Sequence, residues 1–118
     1  MKENYIQHNN RWWWGKSITL IHKEGWASVE IQCDNDSPNV AFIKNLIVFE
    51  YKRKKGIGTD LLRLSEEIAK SYGKRFTQLS ADINKEWLVN WYEKNGYVII
   101  YKDEHEYTML KALNQDCT

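Results

Sequence analysis

The chain has 118 residues, the length of one domain, and its 42% hydrophobic and 28% charged residues with one proline suit a chain that folds around a core. A formal net charge of +1 argues against a dedicated nucleic-acid surface, so nucleic acid is not an expected partner. No apolar stretch approaches the roughly 20 residues of a membrane span, and Met1-Lys2-Glu3-Asn4-Tyr5 lacks the apolar region of a signal peptide, so a cytoplasmic setting is expected.

Residues 1–15 are polar, carry the run Trp12-Trp13-Trp14 and show no clear period; they read as an N-terminal aromatic segment packed on a sheet edge. Residues 16–22 read as a strand, and His22-Lys23-Glu24-Gly25 as a hairpin turn. Over 27–33 the pattern alternates, with Ala27, Val29, Ile31 and Cys33 on one face and Ser28, Glu30 and Gln32 on the other, which predicts a half-buried antiparallel strand. Turn formers fill 34–39. Residues 40–49 are apolar apart from Lys44 and Asn45, as a central strand requires.

Ile57, Leu61, Leu64, Ile68 and Tyr72 recur every three or four positions, which predicts a helix stopped by Gly73. A strand over 76–81 follows. Asn84 is the expected N-cap of a second helix that carries Trp87, Leu88, Trp91 and Tyr92 and ends at Gly96. Strands over 97–101 and 107–113, joined by Lys102-Asp103-Glu104-His105, close the chain before a flexible tail, 114–118. The order β-β-β-α-β-α-β-β defines an α/β (α+β) fold: one domain over 1–118, with a single mixed, mostly antiparallel sheet and two helices. Cys33 and Cys117 read as free thiols. His8, His22 and His105 read as surface or turn residues, and their spacing offers no metal site.

The chemistry-bearing segment runs from Leu46-Ile47-Val48 through Arg53-Lys54-Lys55 to Gly56-Ile57-Gly58-Thr59. A buried strand ends, a basic turn follows, and a helix opens on two glycines. A helix N-terminus offers unpaired N–H groups and partial positive charge, both suited to phosphate. A basic run alone is commonly a solvated turn. Glycine in a first helical turn, however, costs roughly 0.5–1 kcal/mol against alanine, and phosphate close to the backbone is what would offset two of them.

Arg53-Lys54-Lys55-Gly56-Ile57-Gly58 resembles motif A of the GNAT family of N-acetyltransferases, whose turn reads Arg/Gln-x-x-Gly-x-Gly/Ala. Downstream, Asn84 and Trp91-Tyr92-Glu93-Lys94-Asn95-Gly96-Tyr97 look like the family's aromatic-Tyr-x-x-x-Gly-Phe segment, with Tyr97 in place of the common Phe. The resemblance implies an acyl-CoA N-acyltransferase fold that moves an acetyl group from acetyl-CoA to an amine, small molecule or protein, by direct attack in a ternary complex. It implies that the backbone from Lys54 to Thr59, with Arg53, holds the pyrophosphate. Ile47 and Val48 would bond the pantetheine arm, Asn84 would contact it, and Tyr92 would be the general acid beside the sulfur. The strands over 40–49 and 76–81 must then splay apart. Loss of a proton from the acceptor ammonium calls for a base. Glu30, Glu50 and Asp82 are the candidates.

Family members usually carry two helices after their first strand, walling the acceptor pocket. About 15 residues before the first clear strand are too few for that unit, so the acceptor side is expected to be open, or completed by a second subunit in a homodimer. A rival reading is a catalytically silent domain that binds CoA or a protein partner. A nucleic-acid-binding α/β domain using residues 52–55 is the third and weakest.

Overall fold

The computed structural model describes residues 2–49 and 56–113. A 3-10 turn, Lys2–Asn4, leads into strands β1 (Tyr5–Trp12), β2 (Gly15–His22), β3 (Ala27–Asp34) and β4 (Val40–Val48). Helix α1 (Ile57–Ser71), strand β5 (Phe76–Asp82), helix α2 (Glu86–Lys94) and strands β6 (Val98–Lys102) and β7 (Glu106–Ala112) follow. Among the described residues the strands form one seven-stranded sheet, ordered β1-β2-β3-β4-β5-β7-β6. Only β4 and β5 are parallel; every other neighbouring pair is antiparallel. The expected single mixed sheet with two helices is the observed architecture, to within two residues at most element ends.

Strand β1 is the departure. It occupies the segment expected to lack regular structure, and it pairs with β2 over its whole length, from Tyr5↔His22 to Trp12↔Gly15. As an edge strand it buries almost nothing: Tyr5 is half-buried and the next seven residues are exposed. Hydrophobic alternation records burial, and a strand held by its backbone ladder alone leaves no such trace. The turn of this hairpin is Trp13-Trp14. Asn35 secures it, its side-chain amide donating to the Trp13 carbonyl at 3.1 Å and its backbone N–H to the Trp14 carbonyl at 2.7 Å.

The core lies on one face of the sheet, under both helices. Val29 and Ile31 of β3, Ile18 and Leu20 of β2, and Ala41 and Ile43 of β4 pack with Leu61, Leu62, Leu64 and Ala69 of α1. Farther along, Leu79 and Ala81 of β5 and Met109 of β7 pack with Val89 and Tyr92 of α2. Both helices share a face because each links parallel strands with the same right-handed crossover, moving the same way across the sheet. The opposite face presents Ser28, Glu30 and Gln32 and carries no helix among the described residues.

A buried polar group ties the two helical regions together. The Tyr97 hydroxyl donates to Glu66 Oε2 at 3.0 Å and lies 2.7 Å from Thr77 Oγ1. A phenol has one proton, so the Thr77 hydroxyl is the donor to Tyr97. Lys111 Nζ closes the set on Glu66 Oε1 at 2.9 Å. Burial first, then the Glu66 charge, push the Tyr97 hydroxyl far above its ordinary range. Tyr97→Phe leaves Thr77 and Glu66 each short of a partner, at about 1–3 kcal/mol. Urea unfolding should show that loss as a lower midpoint with an unchanged slope.

Candidate functional site

The site grows from one extra residue in β4. Ser28 of β3 faces Ile47, but Glu30 faces Lys44, so two steps on β3 match three on β4. The surplus falls at Asn45-Leu46, and Asn45 adopts φ 54, the only positive φ of a non-glycine among the described residues. Asparagine tolerates that region better than most residues. The bulge also inverts the side-chain parity of the strand. Before it Ala41 and Ile43 are in the core; after it Leu46 and Val48 pack there. Lys44-Asn45, the polar interruption of an apolar strand, was its sequence signal.

β4 loses its parallel neighbour already before the bulge, after Phe42. The β4–β5 ladder has three residue pairs, Val40↔Phe76, Ala41↔Thr77 and Phe42↔Gln78. After these, β4 continues along β3 alone and β5 along β7 alone. An opening therefore starts between the strands, as the splay required. Phe49 N–H donates to the Trp26 carbonyl at 2.9 Å, so by alternation Ile47 also turns its backbone to β3. Val48, between them, turns its backbone toward the opening.

Helix α1 begins at the same end. Its N-cap is Gly56 at φ 79, and no side chain caps it. The first helical bond runs from Asp60 N–H to the Gly56 carbonyl at 3.0 Å, leaving the N–H groups of Ile57, Gly58 and Thr59 without a carbonyl inside the helix. The two glycines serve different needs. Gly56 supplies the left-handed turn. Gly58 is buried, and a Cβ there would lie 3.4 Å from the Trp91 ring and 3.6 Å from Val48 Cγ2. It lets the start of α1 sit close on α2 and β4 and does not point its missing Cβ outward. Arg53, Lys54, Lys55 and Glu50 lie outside the described residues.

Tyr92 lies on α2. Its ring is buried, with centroids 5.2 Å from Trp91 and 5.9 Å from Tyr97. Its hydroxyl has no hydrogen-bond partner among the described residues, yet no fully buried side-chain oxygen is unpartnered. The hydroxyl thus reaches the surface. Burial holds its pKa up at about 12, so at neutral pH it is a hydrogen-bond donor.

Asn84 does not cap α2. The helix starts at Glu86 with Lys85 as N-cap and no side-chain cap bond. The Asp82 carboxylate has taken the turn instead, accepting the Asn84 N–H at 2.9 Å, which closes an Asx turn before the helix can begin. Of the candidate bases, Asp82 ends the strand that borders the opening. Glu30 stands one strand behind it, across from Lys44 on β3. The Trp12–Trp14 stack (6.0 Å, 11°) lies at the far end of the sheet, where Gly15 meets Asp34, and does not wall the opening. His22, expected as a surface or turn residue, does lead the hairpin turn, with Gly25 N–H donating to its carbonyl at 2.8 Å, but its ring is buried between Tyr5 and Trp26, with ring centroids 5.1 and 4.8 Å away. That aromatic cluster had no sequence signal, because it depends on β1.

A mixed seven-stranded sheet opened between its two parallel strands, with a glycine-started helix at the opening, defines the acyl-CoA N-acyltransferase fold. The family model for the acetyltransferase (GNAT) domain matches residues 8–99, and the chain belongs to that family. An IAA acetyltransferase from Bacillus cereus is similar in structure, with TM-score 0.72 and 23% identity over 82% of this chain and 78% of that one. The PaiA N-acetyltransferase from Thermoplasma acidophilum, solved in complex with coenzyme A, gives 0.71 and 22% over 81% of this chain and 59% of that one. A GNAT family acetyltransferase from Elizabethkingia anophelis, solved with acetyl-CoA bound, gives 0.71 and 15% over 95% and 100%. No curated protein matches the chain.

Two outcomes follow from this geometry. Gly56→Ala forces a Cβ into the left-handed region and should cost about 1–2 kcal/mol, whereas Gly58→Ala, whose Cβ meets its neighbours at ordinary contact distance, should leave the melting temperature within about 2 °C. Tyr92 binds its proton more tightly folded than unfolded, so its contribution to stability is whole below pH 10 and lost as pH climbs toward 12. Absorbance titration of the 7 tyrosines should show Tyr92 and Tyr97 ionising last, together with loss of the fold.

Proposed function

We propose that the chain transfers an acetyl group from acetyl-CoA to a primary amine. The observation that carries this reading is the opening between β4 and β5, with the uncapped N–H groups of α1 at the same end. Acetyl-CoA supplies the acetyl group in activated form, as a thioester. The N–H groups of Ile57, Gly58 and Thr59, beside Gly56 and the basic run Arg53-Lys54-Lys55, would hold its pyrophosphate. The strand Ile47-Val48 would align the pantetheine arm, with Val48 the backbone directed to the opening. Asn84, exposed two residues beyond β5, would touch the arm only from the rim.

Tyr92 gives its proton as a hydrogen bond to the sulfur that leaves. With a pKa of about 12 against about 8.5 for a thiol, it stabilises a thiolate without fully protonating it. Asp82, at the end of β5, would take the proton of the acceptor ammonium, directly or through water; Glu30 and Glu50 are the further candidates. An amine with a pKa of about 10.4 is neutral in only about one molecule in a few thousand at pH 7, which sets the need for that base.

Acetyl-CoA at a hundredfold its Kd should stabilise the protein by about 2.7 kcal/mol, raising the melting temperature on the order of 10 °C. Tyr92→Phe should lower kcat about tenfold to a hundredfold while leaving acetyl-CoA affinity within about threefold. Absence of any thermal shift with folded protein would sink the reading. Protection without CoA release across an amine panel would identify a catalytically silent CoA-binding domain.

A further inference from the structure

The open face of the sheet carries one row of side chains that crosses the opening. Cross-strand partners share a face, and the register gives Ile6↔Ile21, Ile21↔Ser28 and Ser28↔Ile47 in succession. Ser28 alternates with the buried Ala27 and Val29, so the row lies on the face away from both helices. Its three isoleucines are exposed at 46%, 36% and 54%. They span three strand spacings, about 14 Å, ending at the rim of the opening.

Beyond the opening the row continues with opposite chemistry. Counted from Phe42↔Gln78 and allowing for the extra residue in β4, Asp82 stands level with Ile47. Asp82 pairs directly with Glu106 of β7, and both are exposed on the open face. Like charges directly opposite one another weaken a strand pair. A cation resting between them removes that repulsion.

We infer that the acceptor is a primary amine joined to an apolar body, with its ammonium on Asp82 and Glu106 and its apolar part laid along Ile47 and Ile21 toward Ile6. The occupant follows from the row itself: the charge of the two carboxylates is complementary to a single ammonium, and the apolar strip is continuous with the opening. A polycation has no second acidic patch in the strip, where it would cover three isoleucines with charged groups. This inference rests on the acetyl-transfer reading.

The test is steady-state acetyl transfer to n-alkyl primary amines from propylamine to tetradecylamine, with spermidine as the polycationic comparison. kcat/KM should rise about threefold to fourfold per methylene until the chain has reached β2, about 14 Å from β5. Ile21→Asp should lower kcat/KM for tetradecylamine tenfold or more, with propylamine and acetyl-CoA protection unchanged; Ile6→Asn should act the same way more weakly. Asp82→Asn should raise KM for every amine. Transfer without dependence on chain length, or with spermidine preferred, overturns the inference and leaves the transfer reading standing. Protection by acetyl-CoA with no amine acetylated overturns both.

Discussion

Everything at the candidate site depends on a ladder that stops. Parallel strands normally pair along their length, and each lost pair exposes backbone groups that water or another partner must satisfy. Here pairing between β4 and β5 ends after three residues, and a little farther along β4 holds one residue more than β3 can match. Asn45 absorbs the surplus with a left-handed turn, at a conformational cost that the surrounding sheet sustains. The bulge turns Val48's backbone to the opening, returns its side chain to the core beside Gly58, and places Ile47 on the open face. One irregularity thus sets which parts of β4 face the opening, the core and the open sheet face.

Burial explains how much of this could be read in advance. The strands and helices that bury a face, from β2 to β7, stand in the sequence as alternation or as three-to-four spacing, and their expected limits differ from the observed ones by little. β1 exposes nearly all its residues, so its sequence carries no such record, and the burial of the His22 ring at the turn could not be read without it. Asn84 has the chemistry of an N-cap, but Asp82 two residues earlier competes for the same backbone and closes a turn first. Composition can name both residues; only the chain geometry decides between them.

The two glycines at the start of α1 show a similar division. Two glycines at a helix start were legible as a place where backbone must be bare. The structure separates them, with Gly56 serving conformation and Gly58 serving the contact of α1 with Trp91 and Val48. The bulge left only a faint mark, a polar pair inside an apolar strand. The row Ile6–Ile21–Ser28–Ile47 left none, since its members are far apart in sequence and meet only through three registers.

The interrupted ladder also divides the molecule mechanically. Strands β1 to β4 with α1 form one slab, strands β5 to β7 with α2 another, and three backbone pairs stitch them at one end. Trp91 against Gly58 is one rivet across the seam; the Glu66–Tyr97–Lys111 set is a second, carried by α1 on one side and by β7 and the residue before β6 on the other. A greasy contact lets surfaces slide, whereas directional hydrogen bonds hold a fixed angle. The polar rivet therefore keeps the two slabs at a set spread, so the width of the opening belongs to the fold itself rather than to whatever enters it.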